Sequence, residues 1–279
     1  MPDIIKPELV NASLLYARFA AAAYSSNTDA KLQASTKFTN EKRMSPATGT
    51  GNKTDTEALL VIMGADAVIA FRGTLSPADW ISDLNSKFVQ NTHGAGNLHR
   101  GFKAAVDSVY DELISWIRGN GITGKLYVCG HSLGGALALL TARRLASGSH
   151  QVMVGPKKQT PVTYQIPSIG GVFTYGAPRV GDDAYQTEYT DKLRAVTTNW
   201  AAAEDPVPTV PLFKDGYRHA VDKRFTLRKN AIGVASSDSV DDINQPSLFK
   251  SLFELFGKSD VSKHSMENSY IPQLEVNKK

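Results

Sequence analysis

Short apolar runs alternate with longer amphipathic stretches along most of this chain. The short runs have the length and composition of buried strands. They lie at residues 58–63, 67–71, 125–129, 172–175, 195–200 and 224–227. The amphipathic or helix-forming stretches predict helices at residues 7–24, 102–118 and 135–145, and near 181–192.

Strands that alternate with helices predict an α/β fold with a mostly parallel sheet covered on both faces. The two apolar runs around Gly64-Ala65-Asp66 are predicted to form a hairpin. Residues 25–57 are polar and are interpreted as irregular, and residues 148–170 as an extended loop or insertion. With no internal repeat or long linker, residues 1–279 are expected to form one domain.

The bulk composition is that of an ordinary soluble globular protein, with 42% hydrophobic and 21% charged residues. The net charge is +4, but lysine and arginine never form a run longer than two, so we expect no nucleic-acid partner. Weak attraction to an anionic lipid surface is compatible with this charge. No segment approaches the roughly 18 apolar residues that a membrane-spanning helix needs.

The cellular location stays open at this level. Cys129 is the only cysteine, so no internal disulfide can form, which is consistent with an intracellular protein without excluding a secreted one. The first residues lack the basic start and apolar stretch of a signal peptide. Either the protein is not exported by that route, or a leader was removed and Met1 is an artificial start.

The strongest local signal is Gly130-His131-Ser132-Leu133-Gly134, a match to G-x-S-x-G. A predicted strand precedes it and a predicted helix follows it. A strand, a tight turn and a helix are the context in which this pattern holds a nucleophilic serine above a parallel sheet. The turn brings strand and helix close together, so the positions two before and two after the serine must be small.

A serine hydroxyl needs a base, and the base needs an orienting acid. In this type of fold the chain order is serine, acid, histidine. Among the histidines after Ser132, His150 follows too soon and His219 is interpreted as structural, so His264 is the candidate base. Asp205, in a proline-rich loop after a predicted strand, is the candidate acid, with Glu204 as its competitor.

The oxyanion of an acyl-transfer intermediate needs fixed hydrogen-bond donors. One is expected to be the backbone N–H of Leu133, which follows the nucleophile. Thr74, in the turn Phe71-Arg72-Gly73-Thr74 after an earlier strand, is placed to supply the second through its N–H and hydroxyl.

Taken together and in order, these segments resemble the fungal-type class 3 lipases, which are α/β-hydrolases similar to triacylglycerol lipases. The resemblance extends over residues 71–264 and rests on FRGT (71–74), DWISDL (79–84), LHRGF (98–102), GHSLGGA (130–136), TYGAPRVGD (174–182), DPVPTVP (205–211) and His264. Residues 1–57 match poorly. Secreted fungal members often carry disulfides, which this chain cannot form.

The resemblance implies a serine-dependent acylglycerol lipase acting through an acyl-enzyme, with no metal and no cofactor. It implies Ser132 as nucleophile, Asp205 as acid and His264 as base, with Thr74 and Leu133 forming the oxyanion hole. The expected partner is a lipid or ester substrate, met at a lipid–water interface. The alternatives are a carboxylesterase or feruloyl-type esterase on the same fold, or a non-catalytic scaffold.

Two segments are candidates for contact with lipid. In the resembled family the segment after the oxyanion residue is a mobile lid, which here is residues 76–84, with Trp80, Ile81 and Leu84 on one helical face. Residues 248–256 form a second dense apolar face with three phenylalanines. Either segment could instead be an ordinary packed helix.

Overall fold

A computed structural model describes residues 5–25, 40–44, 56–74, 87–154, 160–203, 205–228, 231–236 and 264–278. Its centre is an eight-stranded sheet in the order β1-β2-β3-β6-β9-β10-β11-β12. These strands are β1 (Asn40–Met44), β2 (Ala58–Met63), β3 (Asp66–Phe71), β6 (Leu126–His131), β9 (Ile169–Tyr175), β10 (Thr197–Ala202), β11 (Lys223–Arg228) and β12 (Ala231–Ser236). The five strands from β3 to β11 pair in parallel, and the outer pairs are antiparallel.

Two small antiparallel pairs lie outside this sheet. They are β4 (Phe88–Gln90) with β5 (Asn97–His99), and β7 (Ser149–Val154) with β8 (Thr160–Gln165). The described helices are α1 (Pro7–Ala22), α2 (Arg100–Gly119), α3 (Leu133–Leu145), α4 (Asp183–Leu193) and α5 (Ile271–Val276).

The buried apolar side chains form two clusters, one on each face of the sheet. Along β3, Ile69 packs in the cluster that contains α2, α3 and α4, whereas its neighbour Val68 packs in the cluster with α1 and α5. Successive side chains of a strand point to opposite faces, so a strand buried on both faces is apolar throughout. This explains why the central strands are uninterrupted apolar runs in the sequence.

Two of the helices begin at a residue whose side chain caps the first turn. The His99 ring caps α2 by accepting a hydrogen bond from the Phe102 N–H at 3.4 Å, and the Asp182 carboxylate caps α4 through the Tyr185 N–H at 3.0 Å. Both residues belong to motifs on which the family resemblance rests. Their capping roles show that parts of those motifs serve the fold.

The predicted α/β fold with a mostly parallel sheet is confirmed. The predicted strands of the central sheet and the predicted helices lie at or near the predicted positions. The interpretation of 25–57 as irregular is wrong at β1, a polar strand at the edge of the sheet that pairs with β2. The interpretation of 148–170 as an extended loop is also wrong, because β7 and β8 form a hairpin there. The strand β12 was not predicted.

Within the described ranges, no helix is long and apolar enough to cross a bilayer. Cys129 is buried in β6, and this burial raises the pKa of its thiol. The thiol therefore stays protonated at neutral pH and packs as a small apolar side chain.

Replacement of Leu113 by alanine is expected to destabilise the protein by about 2–5 kcal/mol, because it leaves a cavity where α2 packs on the sheet. Leu113 is fully buried, whereas Ser115 on the same helix is exposed. Urea denaturation of Leu113→Ala measures the loss, with Ser115→Ala as the matched control. A loss under about 1 kcal/mol would contradict this packing.

Candidate active site

Three of the predicted site residues follow parallel strands of the central sheet. Thr74 follows β3, Ser132 follows β6 and Asp205 follows β10. The carboxyl ends of parallel strands meet at one edge of a sheet, which is where open α/β sheets bind their ligands. The fold therefore brings these residues to the same edge.

Ser132 lies in a strained turn between β6 and α3. Its φ of 59° makes it the one non-glycine residue in the described ranges with a positive φ. The turn is held by hydrogen bonds from Ser132 N to the Tyr175 carbonyl and from Gly135 N to the Ser132 carbonyl, each 2.9 Å long. Such a conformation costs on the order of 1–3 kcal/mol and persists only where its surroundings fix it.

The predicted need for a small residue at Gly134 is visible in the packing. A methyl group on Gly134 would lie 2.9 Å from the carbonyl of Arg72 and would collide with the carbonyl of Phe71 at the end of β3. The start of α3 can therefore approach β3 only without a side chain here. Ser132 Oγ is buried and has no hydrogen-bond partner within the described part of the chain.

His264 and Asp205 form a buried pair beside this turn. His264 Nδ1 is 2.8 Å from Asp205 Oδ2, and both side chains are almost fully buried. A carboxylate accepts hydrogen bonds and donates none, so Nδ1 carries the hydrogen and Nε2 is the basic nitrogen of the ring. The other oxygen, Asp205 Oδ1, accepts the Val207 N–H at 2.9 Å.

Tyr270 is a further member of the site that the sequence did not reveal. Its hydroxyl donates to Asp205 Oδ2 at 2.5 Å and accepts the Ala202 N–H at 3.0 Å. Burial raises the tyrosine pKa well above its usual value, with the negative charge of Asp205 as the next cause, so the hydroxyl stays a donor. A π-helical turn at Met266–Tyr270 carries it back towards the acid directly after His264.

A second unpredicted contact connects α1 to the site. Tyr24, just beyond α1, hydrogen-bonds through its hydroxyl to His131 Nδ1 at 2.9 Å. The His131 ring lies against the His264 ring, with centroids 4.5 Å apart. Burial, and then repulsion from His264, lowers the His131 pKa well below its ordinary value, so His131 remains neutral at pH 7. The candidate base His264 is thus flanked by an uncharged ring.

The loop that carries Gly73 and Thr74 lies directly against the serine turn. A methyl group on Gly73 would lie 3.1 Å from Ser132 Cβ and 2.7 Å from the His131 carbonyl, and would collide with the Tyr24 hydroxyl. Leu133 is the first residue of α3, and the first N–H groups of a helix have no partner within it. Both candidate oxyanion donors therefore border the serine turn.

The loop that carries Asp205 is held by the buried side chains of Arg179 and His219. Arg179 Nη1 donates to the carbonyls of Pro211, at 3.0 Å, and Thr209. His219 Nε2 donates to the Pro208 carbonyl at 2.8 Å, and burial lowers the pKa of this imidazole well below its ordinary value. His219 is therefore a neutral contact of the acid loop.

The remaining candidates lie elsewhere. His150 is on β7, where its Nδ1 lies 2.9 Å from the Tyr110 hydroxyl. The competing acid Glu204, the lid at 76–84 with Trp80, Ile81 and Leu84, and the apolar segment 248–256 lie outside the described residues. Among the described residues, no group of three or more His, Cys, Asp or Glu side chains is arranged to hold a metal ion.

Comparison with known proteins finds a family that matches the sequence of this chain. The family model "Lipase (class 3)" matches residues 68–214, more than half of the chain. A secreted mono- and diacylglycerol lipase 1 from Fusarium solani is 30% identical over 176 residues, which are 61% of this chain and 47% of that protein. The chloroplastic/mitochondrial phospholipase A1 EG1 from Oryza sativa subsp. indica is 26% identical over 171 residues, 52% of this chain and 36% of the relative.

A solved structure shows the same fold. A mutant form of MDLA from Penicillium cyclopium superposes with a TM-score of 0.69 at 22% identity, covering 96% of this chain and 98% of that one. The chain spans about half the length or less of the curated relatives it matches.

Replacement of Tyr270 by phenylalanine is expected to slow the covalent labelling of Ser132 by a fluorophosphonate about 10-fold or more. Asp205 would lose a charge-assisted hydrogen bond, which is worth about 1.5–3 kcal/mol, and would hold His264 less firmly. Labelling rates of the folded variant provide the measurement.

Tyr189→Phe is the matched control, because that buried hydroxyl contacts Thr197 Oγ1 instead, at 3.1 Å. Tyr270 is a positioning residue only if its variant binds a reversible ligand as tightly as the parent and loses only rate. Equal labelling rates for Tyr270→Phe and Tyr189→Phe would contradict this role.

Proposed function

Because the chain belongs to the class 3 lipase family, we propose that it is a serine-dependent hydrolase of carboxylic esters of lipids, with acylglycerols as its substrates. The observation that carries the proposal is the hydrogen bond of 2.8 Å between His264 Nδ1 and Asp205 Oδ2, buried beside the strained Ser132 turn. An orienting acid, a base and a serine on a sharp turn are what acyl transfer requires.

In the first step, His264 Nε2 takes the proton of Ser132 Oγ as the oxygen attacks the ester carbonyl. The imidazolium that forms is stabilised by Asp205, which stays ionised and keeps the ring in one tautomer. Tyr270 and the Val207 N–H hold the carboxylate in place through its two oxygens. Because the site is buried, these interactions are stronger than they would be in water.

The attack produces a tetrahedral intermediate with a negatively charged oxygen. The Leu133 N–H and the Thr74 N–H and hydroxyl bind this oxygen, and the helix α3 directs the positive end of its dipole at it. His264 then returns the proton to the leaving alcohol. Water deacylates Ser132 by the same route, with His264 again as base.

The substrate proposal follows the relatives. The Fusarium solani protein is a mono- and diacylglycerol lipase, and the Oryza sativa protein is a phospholipase A1. A carboxylesterase or feruloyl-type esterase would use the same serine, acid and base, and differs in the acyl and alcohol pockets. A non-catalytic scaffold is the alternative from another class, and it predicts no reaction at Ser132.

Replacement of Ser132 by alanine is expected to reduce kcat on a soluble p-nitrophenyl ester by about 10⁴-fold or more, because the nucleophile is lost. Ser108→Ala, on α2, is the control and should keep full activity, because the Ser108 hydroxyl donates to the Ala105 carbonyl of its own helix at 2.7 Å. Retention of activity in Ser132→Ala would contradict the proposed nucleophile. Absence of fluorophosphonate labelling in the parent protein would favour a scaffold.

The preference for lipid is tested with p-nitrophenyl esters of increasing acyl length, assayed in solution and as emulsions. A lipase is expected to hydrolyse long-chain esters faster once an emulsion forms, because its apolar acyl pocket takes up the acyl chain at the interface. A preference for short, dissolved esters with no response to emulsion would favour the carboxylesterase. Release of fatty acid from phosphatidylcholine vesicles would favour the phospholipase.

A further inference from the structure

Tyr24 reaches the loop after β3 from the end of α1. It lies two residues beyond the last residue of that helix, and its N–H still donates to the Ala21 carbonyl at 3.0 Å. The helix packs in the apolar cluster on one face of the sheet, and Arg18 pairs with Glu275 of α5 at 3.1 Å. The position of Tyr24 is therefore determined by a helix that is packed on the sheet.

The Tyr24 hydroxyl lies where a side chain of Gly73 would be. A methyl group on Gly73 would collide with this oxygen, and it would lie 2.7 Å from the His131 carbonyl and 3.1 Å from Ser132 Cβ. Glycine has more conformational freedom than any other residue, so its backbone keeps one conformation only where its neighbours restrain it. Here the hydroxyl and the serine turn are those neighbours.

The same hydroxyl is hydrogen-bonded to the backbone of Gly73. Burial raises the pKa of Tyr24, whereas this hydrogen bond, and then the charge of Arg72, lower it. A hydrogen bond that lowers the pKa of a phenol is donated to its oxygen, because it stabilises the anion. The Gly73 N–H is therefore the donor, and the hydroxyl keeps its own hydrogen for another partner.

That partner is His131, whose Nδ1 lies 2.9 Å from the Tyr24 hydroxyl. The imidazole is neutral, so an Nδ1 that accepts leaves the ring hydrogen on Nε2. The His131 ring lies against the ring of His264, with centroids 4.5 Å apart. One hydroxyl thus joins the loop after β3 to the residue that precedes Ser132.

On its other side, Gly73 follows a residue that is also held. The Arg72 N–H donates to the Glu57 carbonyl at 2.9 Å, and the Arg72 guanidinium pairs with the Glu57 carboxylate at 2.7 Å. Gly73 is the link between this fixed residue and Thr74. Rotation about its backbone bonds determines where the Thr74 N–H points, and the Tyr24 hydroxyl restrains that rotation.

We propose that Tyr24 is a positioning residue for the oxyanion hole, a role that rests on the proposed hydrolase function. Its hydroxyl fixes Gly73 against the serine turn, so that the Thr74 donors and the Leu133 N–H point at the same oxygen of the tetrahedral intermediate. Tyr24 itself contacts neither the substrate nor the reacting atoms. It makes the proposed oxyanion hole dependent on the packing of α1.

Replacement of Tyr24 by phenylalanine is expected to lower kcat on a soluble p-nitrophenyl ester about 10-fold, less than the 10²–10³ that loss of a whole oxyanion donor costs. KM should stay within about twofold of the parent value, because the oxyanion exists only in the transition state and the intermediate. Rates are referred to the concentration of Ser132 that a fluorophosphonate labels at completion, which counts only folded sites.

A second measurement separates the oxyanion hole from the base. An alkyl trifluoromethyl ketone, which forms an anionic tetrahedral adduct with the serine, should inhibit Tyr24→Phe about 10-fold more weakly than the parent. The corresponding methyl ketone should inhibit both equally. The apparent pKa of kcat/KM should be unchanged, because the contact between His264 and Asp205 is intact.

Tyr16→Phe is the matched control, because it removes a hydroxyl from α1 itself, where the ring stacks on Phe173 with centroids 4.2 Å apart. It should keep the parent kcat and the parent inhibition by the trifluoromethyl ketone. Equal kcat in Tyr24→Phe and the parent, or a shifted apparent pKa, would overturn the role of Tyr24 alone. A parent without hydrolysis that depends on Ser132 would overturn the proposed function, and this role with it.

Discussion

The backbone at Ser132 is the constraint on which the rest of the site depends. A positive φ at a residue with a side chain is unfavourable, and here it is maintained by the close approach of α3 to the ends of β3 and β6. That approach is possible only because Gly134 has no side chain. The same approach sets the Leu133 N–H beside the serine and the loop of Thr74 against it. One local conformation thus fixes the proposed nucleophile and its surroundings together.

Around this turn, the site is assembled almost entirely from neutral groups. Tyr24, His131 and Tyr270 surround the His264–Asp205 pair, and the pKa directions of all three keep them uncharged at neutral pH. An environment of low polarity strengthens the interaction between His264 and Asp205, and it would strengthen this interaction further if His264 became cationic in the proposed reaction. The cations Arg179 and Arg72 are used nearby in other ways: Arg179 fastens the acid loop, and Arg72 pairs with Glu57 at 2.7 Å.

The elements that could be predicted from the sequence are those whose residues show a pattern within a short stretch of chain. The serine turn is specified within seven residues, and the central strands are apolar because both of their faces are buried. Strand β1 could not be predicted because it is a polar edge strand, and its pairing with β2 makes it a strand. The place of Tyr270 in the site could not be predicted because it depends on a contact with Asp205, 65 positions earlier. No periodicity in the sequence indicates such a contact. His264 is predicted from chain order, from its late position after the last predicted strand and from the family resemblance.

The contacts of Tyr24 and Tyr270 have a consequence for the chain during its synthesis. The site includes Tyr24, which precedes the described strands of the sheet in the chain. It also includes Tyr270, which follows the last of them. During translation, a chain that has emerged only as far as β12 already contains the proposed nucleophile, the proposed acid and both proposed oxyanion residues. It lacks the proposed base, His264, and Tyr270, which donates to Asp205. On the proposed mechanism, such a partly synthesised chain cannot yet hydrolyse esters.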